Sequence, residues 1–106
     1  MREVTVERGL VERVESMGGI AAKHVSPGRA GDPDRLVAVP MPGGCCPMCG
    51  TAARVGLLEL KAPSGGLREL QERRMEQWRA VGVPSGWANG HGAVLAWLER
   101  LQRGVH

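Results

Sequence analysis

Glu59 and Lys61 flank Leu60 in an apolar run that ends at Ala62-Pro63-Ser64-Gly65-Gly66. In a strand, side chains alternate between faces, so the carboxylate and the ammonium share one face while Leu60 enters the opposite layer. A surface ion pair is the commonplace reading of such a triplet. Asp34 shifts the weighting. It follows Pro33, which forces Asp32 to be extended, and it opens the branched run from Arg35 to Val39. A hairpin pairing of 35–39 with 55–60 brings Asp34 beside Glu59, so that two carboxylates and a lysine converge at one end of a sheet. Of the 14 basic residues only Lys23 and Lys61 are lysine, and a compact ammonium at position 61 stands out against that arginine bias.

Such a cluster suits phosphodiester hydrolysis. Asp34, Glu59 and the backbone carbonyl of Leu60 offer hard oxygen ligands to Mg²⁺ or Mn²⁺, which keep several waters and a phosphate oxygen as their other ligands. The cation would supply the Lewis acid and the activated water. Lys61 would orient or help deprotonate that water and offset charge on the scissile phosphate. Glu7 or Glu3, on the first helix, would add a further carboxylate, directly or through water. The alternative for both is a place in a first helical turn, where acidic residues suit the helix dipole. Arg29, in the basic loop at 26–31, and Arg35 are the candidate DNA contacts. For Arg35, a salt bridge with a core-facing carboxylate is an equal alternative.

Cys46-Pro47-Met48-Cys49-Gly50 has the form of a zinc knuckle, in which two thiolates grip one Zn²⁺. It is half a site. The remaining ligands would come from Cys45, His24, His91, His106, or the knuckle of a second chain across a dimer axis. The competing reading is a thiol-bearing loop without metal.

Positioning these groups takes a small set of elements. Val4, Leu10, Val11, Val14 and Met17 fall on one stripe of a helix spanning Glu3 to Met17, which Gly18-Gly19 stops. Glu3 and Glu7 share that face. Strands are predicted at Ile20–Val25, Arg35–Val39 and Val55–Leu60, with a fourth, irregular one at Val83–Ala88. Leu67, Leu70, Met75, Trp78 and Val81 make a second amphipathic helix, with Ser64 near its start. Val94, Leu95, Leu98 and Leu101 make a third. Arg68, Arg73, Arg74 and Arg79, interleaved with Glu69, Glu72 and Glu76, read as the solvated face of the second helix. Trp78 and Trp97 read as core, Trp87 as exposed, and His24 as either facing the site or hydrogen-bonded structurally. The order αβββαβα places the chain in the α/β class, a small mixed sheet flanked by helices.

Composition sets the outer bounds. A chain of 106 residues, 42% hydrophobic and 24% charged, makes a single domain over 1–106, with the cysteine-bearing hairpin insertion at about 40–54. Sixteen glycines and 7 prolines imply extended loops. No apolar run reaches the roughly 20 residues of a membrane span, and the amino terminus lacks an apolar signal core, which points to a cytoplasmic protein without membrane contact. A formal net charge of +3 favours a polyanionic partner weakly. The absence of Phe and Tyr leaves little with which to build base-stacking platforms. Three cysteines in one pentapeptide do not read as a disulfide framework, and an odd count argues against a secreted fold.

The runs GGIAAKHVSPGRAGDPDRLVAV and LLELKAPSGGLRELQERRMEQWRAVG resemble the VRR-NUC domain, a branch of the PD-(D/E)XK nuclease superfamily that occurs alone in bacteriophages and bacteria. The resemblance covers most of residues 3–82. It implies an αβββαβ(α) restriction-endonuclease-like core. It also implies that Asp34 is the aspartate of the G-x-PD-R motif, Glu59 and Lys61 the acidic-x-lysine pair, and Gln71 the glutamine opening the next helix. Glu7 matches the first-helix glutamate, with Glu3 as the alternative. The activity implied is that of a metal-dependent endonuclease using Mg²⁺ or Mn²⁺, structure-selective, similar to Holliday-junction resolvases, and homodimeric, in a bacterial or phage-infected cell. The chain departs from the family where PMPGGCCPMCGTAAR replaces a short hairpin turn. Because that insert joins the two strands bearing Asp34 and Glu59, it is expected to influence the site. Two other functions compete: a non-catalytic DNA-binding or assembly module on the same fold, and a zinc-knuckle protein-interaction element centred on the cysteines.

Overall fold

The first helix, α1 (Glu3–Ser16), buries Val6, Leu10 and Val14 completely. Their i, i+4, i+8 spacing draws one stripe down the helix. The stripe runs through Val6, which the sequence reading passed over, and leaves Val11 and Glu7 on its half-buried flanks. Gly18, at φ +80°, adopts the left-handed conformation that lets the chain leave the helix and enter the sheet. The computed structural model describes residues 3–25, 27–41 and 52–104, the side chains of Glu3 and Val4 excepted.

Four strands follow in the spatial order β1 (Ile20–Lys23), β2 (Arg35–Pro40), β3 (Ala53–Leu60) and β4 (Ser85–Ala88). The first three pair antiparallel. Between β3 and β4 lies α2 (Glu69–Ala80), a crossover that returns the chain in the same direction, and β4 therefore pairs parallel to β3. The last helix, α3 (His91–Arg103), buries Val94, Trp97, Leu98 and Leu101, an i, i+3, i+4, i+7 stripe. This is the expected small mixed sheet flanked by helices.

One core forms where α1 and α3 cover the same face of the sheet, against Val37, Val39, Leu58, Leu60 and Ala88. The indole of Trp97 lies flat on two neighbouring glycines. A Cβ at Gly56 would come to 3.0 Å from the ring and one at Gly86 to 2.6 Å, so the strands must be bare there. On the opposite face α2 buries Met75, while Ile20, Leu36 and Val55 remain exposed.

Several boundaries differ from the sequence reading. The second helix starts at Glu69 rather than Leu67 and is capped by Arg68 rather than Ser64. Its arginines are not simply solvated. Arg79 Nε donates to the Ser85 carbonyl at 2.7 Å and Arg74 Nε to the Ala30 carbonyl at 3.0 Å. Trp78 is half-buried rather than core, whereas Trp97 is core.

Cys45, Cys46 and Cys49, with the proposed zinc site, lie outside the described residues, as do Ser26 and His106. The segment that carries the cysteines joins Pro40 to Ala53, the end of the β2–β3 ladder away from Asp34. Six residues of strand separate that end from Asp34, roughly 20 Å at about 3.3 Å per residue. Among the described residues, no helix is long and apolar enough to cross a membrane.

Candidate active site

The β2–β3 ladder ends at Arg35 opposite Leu58, and one step further Asp34 stands opposite Glu59. There the two strands part, and a side chain takes over from the backbone: Asp34 Oδ1 accepts the Leu60 N–H at 3.3 Å. The Asp34 carboxylate thus sits in the fork of the sheet, against the peptide that joins Glu59 to Leu60. On its other side Asp34 is tied to the first strand, its carbonyl accepting the His24 N–H at 2.8 Å. The Lys61 N–H donates to the Ala88 carbonyl at 2.9 Å and keeps β4 alongside the end of β3. Four strands therefore converge on this one edge.

Two residues along β3 from each other, Glu59 and Lys61 share a face, and Lys61 Nζ lies 3.5 Å from Glu59 Oε2. Both are sheltered: the side chains are 8% and 19% exposed. Sheltering strengthens the attraction, because water screens the pair poorly there. Asp34, Glu59 and Lys61 are thus brought together as the strand periodicity requires.

The other candidate residues are placed differently. Glu7 forms an ion pair with Arg35, whose side chain is buried on the core face of β2. Burial lowers the Arg35 pKa from its ordinary value, because the charged guanidinium is removed from water. Arg35 is therefore engaged inward, with the core-facing carboxylate that the sequence reading kept as its alternative. Gln71 Oε1 accepts the Arg68 N–H at 3.0 Å, a helix-start cap. Arg29 is held by both oxygens of Asp32, at 2.9 and 3.0 Å from Nε, and by Gln77 Oε1 at 2.7 Å from Nη2. His24 packs edge-on against Trp78. The side chain of Glu3 lies outside the description.

The Glu7–Arg35 pair carries a prediction. Glu7→Gln is expected to lower the unfolding free energy by about 1–2 kcal/mol, since a mostly buried guanidinium loses its charged partner. Urea denaturation measures it, and a loss below about 0.3 kcal/mol would mean that solvent satisfies Arg35 as well as Glu7 does.

The sequence reading missed the network beneath Asp34. The Asp32 side chain is 3% exposed and accepts from Arg29 and from Trp78 Nε1, the latter at 3.1 Å. The sequence showed Asp32 only as the residue that Pro33 holds extended, because its indole partner Trp78 lies 46 positions away, on α2.

Comparison with known proteins bears on this arrangement. The chain matches no protein-family model. Over 40 residues it is 60% identical to the protein "Putative nuclease p44" of Acyrthosiphon pisum secondary endosymbiont phage 1, an alignment that covers 38% of this chain and 43% of that protein. The match thus spans less than half of the curated relative. A solved structure described as "VRR_NUC domain" is similar over 92% of this chain and 94% of its own, with a TM-score of 0.72 and 26% identity.

Proposed function

We propose that the chain, similar in fold to a VRR_NUC domain over 92% of its length, is a member of that family and a metal-dependent endodeoxyribonuclease of the PD-(D/E)XK type, a homodimer acting on branched or junction DNA. The observation that carries the reading is the Asp34 carboxylate bound to the Leu60 amide, which sets it beside Glu59 and Lys61 at the open end of β3.

The residues present fit a hard divalent cation. Asp34, Glu59 and the Leu60 carbonyl are oxygen donors throughout. Among the described residues no group of three or more His, Cys, Asp or Glu is gathered where it could hold a metal ion, so the proposed donors are two carboxylates and a carbonyl. Two carboxylates with room for water and phosphate are what Mg²⁺ or Mn²⁺ takes, whereas zinc prefers nitrogen and sulfur. Bound there, the cation supplies Lewis-acid polarisation of the phosphate and a more acidic water.

The protein's own groups do the rest. Lys61, held beside Glu59, donates to the attacking water or to a phosphate oxygen and offsets the negative charge that grows on it. Glu59 in turn holds the Lys61 ammonium at its post. Gln71, whose oxygen is occupied by the Arg68 amide, offers its amide nitrogen to the substrate. Glu7 stands in an ion pair with Arg35 on the core face of β2, so its part in the proposed site is to hold the residue next to Asp34 rather than to bind the cation. Arg29 keeps a 40% exposed side chain, enough for one edge of its guanidinium to meet a DNA phosphate. Structural zinc at Cys46, Cys49 and Cys45 is a separate proposal, tested by metal analysis of the protein with and without those thiols.

Incubation of the purified protein with duplex, flap, bubble and four-way-junction DNA tests the assignment. Cleavage is expected with Mg²⁺ or Mn²⁺, greatest on branched substrates, and none in a chelator. Binding of the same DNAs without cleavage under any metal would instead favour the non-catalytic module.

A further inference from the structure

The placement of Asp34 rests on the loop before it, and that loop is fastened to one face of α2. The backbone of Asp34 stands one residue past the end of the β2–β3 ladder. Among its bonds to neighbouring strands are the His24 amide on one side and, through its side chain, the Leu60 amide at 3.3 Å on the other. The loop upstream bears on its approach as well. Pro33, fully buried, restricts its own φ and holds Asp32 extended, so that a displacement at Asp32 passes stiffly to Asp34.

Asp32 is where the loop is clamped. Its carboxylate, nearly excluded from solvent, accepts from Trp78 Nε1 at 3.1 Å and from Arg29 Nε at 2.9 Å. The Arg29 guanidinium lies 5.9 Å from the Trp78 ring centroid and reaches Gln77 Oε1, which also accepts from Arg74. Arg74 binds the Ala30 carbonyl. Gly31, at φ +88°, sits so close to Leu70 that a Cβ would come within 2.7 Å of it. Leu70, Arg74, Gln77 and Trp78 are spaced i, i+4, i+7 and i+8, one face of α2, and each meets the loop. Burying a carboxylate is costly unless its bonds are made, and here one indole and one guanidinium make them. A loop that needed only to connect β1 to β2 would have no use for this expense.

We propose that Asp32 is a positioning residue for the active site: held by Trp78 and Arg29, it fixes the entry of Asp34 into the fork between β2 and β3, and so the geometry with which Asp34 meets a cation. The catalytic half of that statement rests on the nuclease reading; the positional half does not.

Amide hydrogen exchange at Leu60, whose N–H reports the Asp34 bond, and the Mn²⁺ dependence of DNA cleavage are measured together. The variants are Trp78→Phe, which keeps the ring and removes the donor, Asp32→Ala, and Asp32→Asn, which keeps an oxygen for Trp78. Trp78→Phe and Asp32→Ala are expected to speed exchange at Leu60 about tenfold relative to Leu10 and Leu98 in the core. The half-saturating Mn²⁺ concentration should rise about tenfold in both, as outer-shell losses typically cause, with DNA affinity held within about twofold. Asp32→Asn should restore most of each. Should Asp32→Ala fail to fold, Trp78→Phe decides. Leu60 exchange that merely follows the core amides, or an unchanged Mn²⁺ midpoint in a protein that cleaves, overturns the proposal. If the unsubstituted protein neither cuts DNA nor responds to Mn²⁺, the nuclease reading falls on that arm alone, and the exchange rates still decide whether Asp32 places Asp34.

Discussion

Lys61→Ala is expected to reduce DNA cleavage by about 10²–10³-fold or more while leaving DNA binding within a few fold, because the charge it supplies matters most when negative charge accumulates on the phosphate. The side chain is prepared for that task. Its backbone is fixed by the bond to Ala88, its stem is largely covered, and its ammonium is 3.5 Å from Glu59. A lysine on a mobile surface would pay in rotamer entropy for each turnover; this one is already ordered. Lys61→Arg should rescue poorly, since a planar fork on a longer stem cannot occupy the place of a compact ammonium. Lys61→Ala also strips a mostly buried carboxylate of this cation, so a stability loss of about 1–2 kcal/mol accompanies it. Single-turnover cleavage rates on protein shown to be folded separate the two effects. Cleavage at the parental rate by folded Lys61→Ala would remove the lysine from the chemistry and, with it, the main support for a PD-(D/E)XK mechanism.

The sheet was readable from the sequence because its information is local. The apolar, branched runs from Arg35 to Val39 and from Val55 to Leu60, with turn residues between, suggest a hairpin, and a hairpin with this register sets Asp34 across from Glu59. The candidate site was legible for the same reason: Glu59 and Lys61 are a strand period apart, and Asp34 follows from the pairing. What escaped was set by tertiary contact. Val6 is an exception, since it stands one turn before Leu10 and two before Val14, and the helical period itself selects it over Val11 as the buried valine. Arg74 and Arg79 match the helical ion-pair pattern with neighbouring glutamates, yet their guanidiniums bond backbone carbonyls of Ala30 and Ser85, groups that no periodicity reveals. Arg35 could have faced DNA or a carboxylate. The strand parity that puts Asp34 on the site face puts Arg35 on the core face, where Glu7 awaits it. Trp78 was read as core because tryptophan at helical spacing usually is; its indole N–H is the part that mattered, and it needed an acceptor. Asp32 shows the limit most clearly. Two aspartates flank Pro33, and the sequence marks only the second, because the first works through α2.

Asp34→Asn separates the chemical role of Asp34 from its structural one. The amide keeps an oxygen in the place of Oδ1, so the bond from the Leu60 N–H survives and the fork between β2 and β3 stays closed. What disappears is the negative charge. A hard divalent cation is held by carboxylate charge more than by an amide dipole, so metal-dependent cleavage is expected to fall by about 10²-fold or more, and the fall should persist at Mn²⁺ concentrations that saturate the parent. Stability should move little, within about 1 kcal/mol, since the lost attraction to Lys61 is offset by the lost repulsion from Glu59 one strand away. Active sites commonly tolerate or gain stability in this way when a like-charged group is neutralised, whereas a structural ion pair loses it. Asp34→Ala completes the comparison: it removes the acceptor as well, leaves the Leu60 amide unpaired, and should cost about 1–2 kcal/mol beyond the asparagine variant. Cleavage assays and urea denaturation on the two variants therefore answer separate questions. An asparagine variant that cuts DNA like the parent would show that Asp34 serves only the fold, and the cation would have to be sought elsewhere along the edge that Glu59 and Lys61 define.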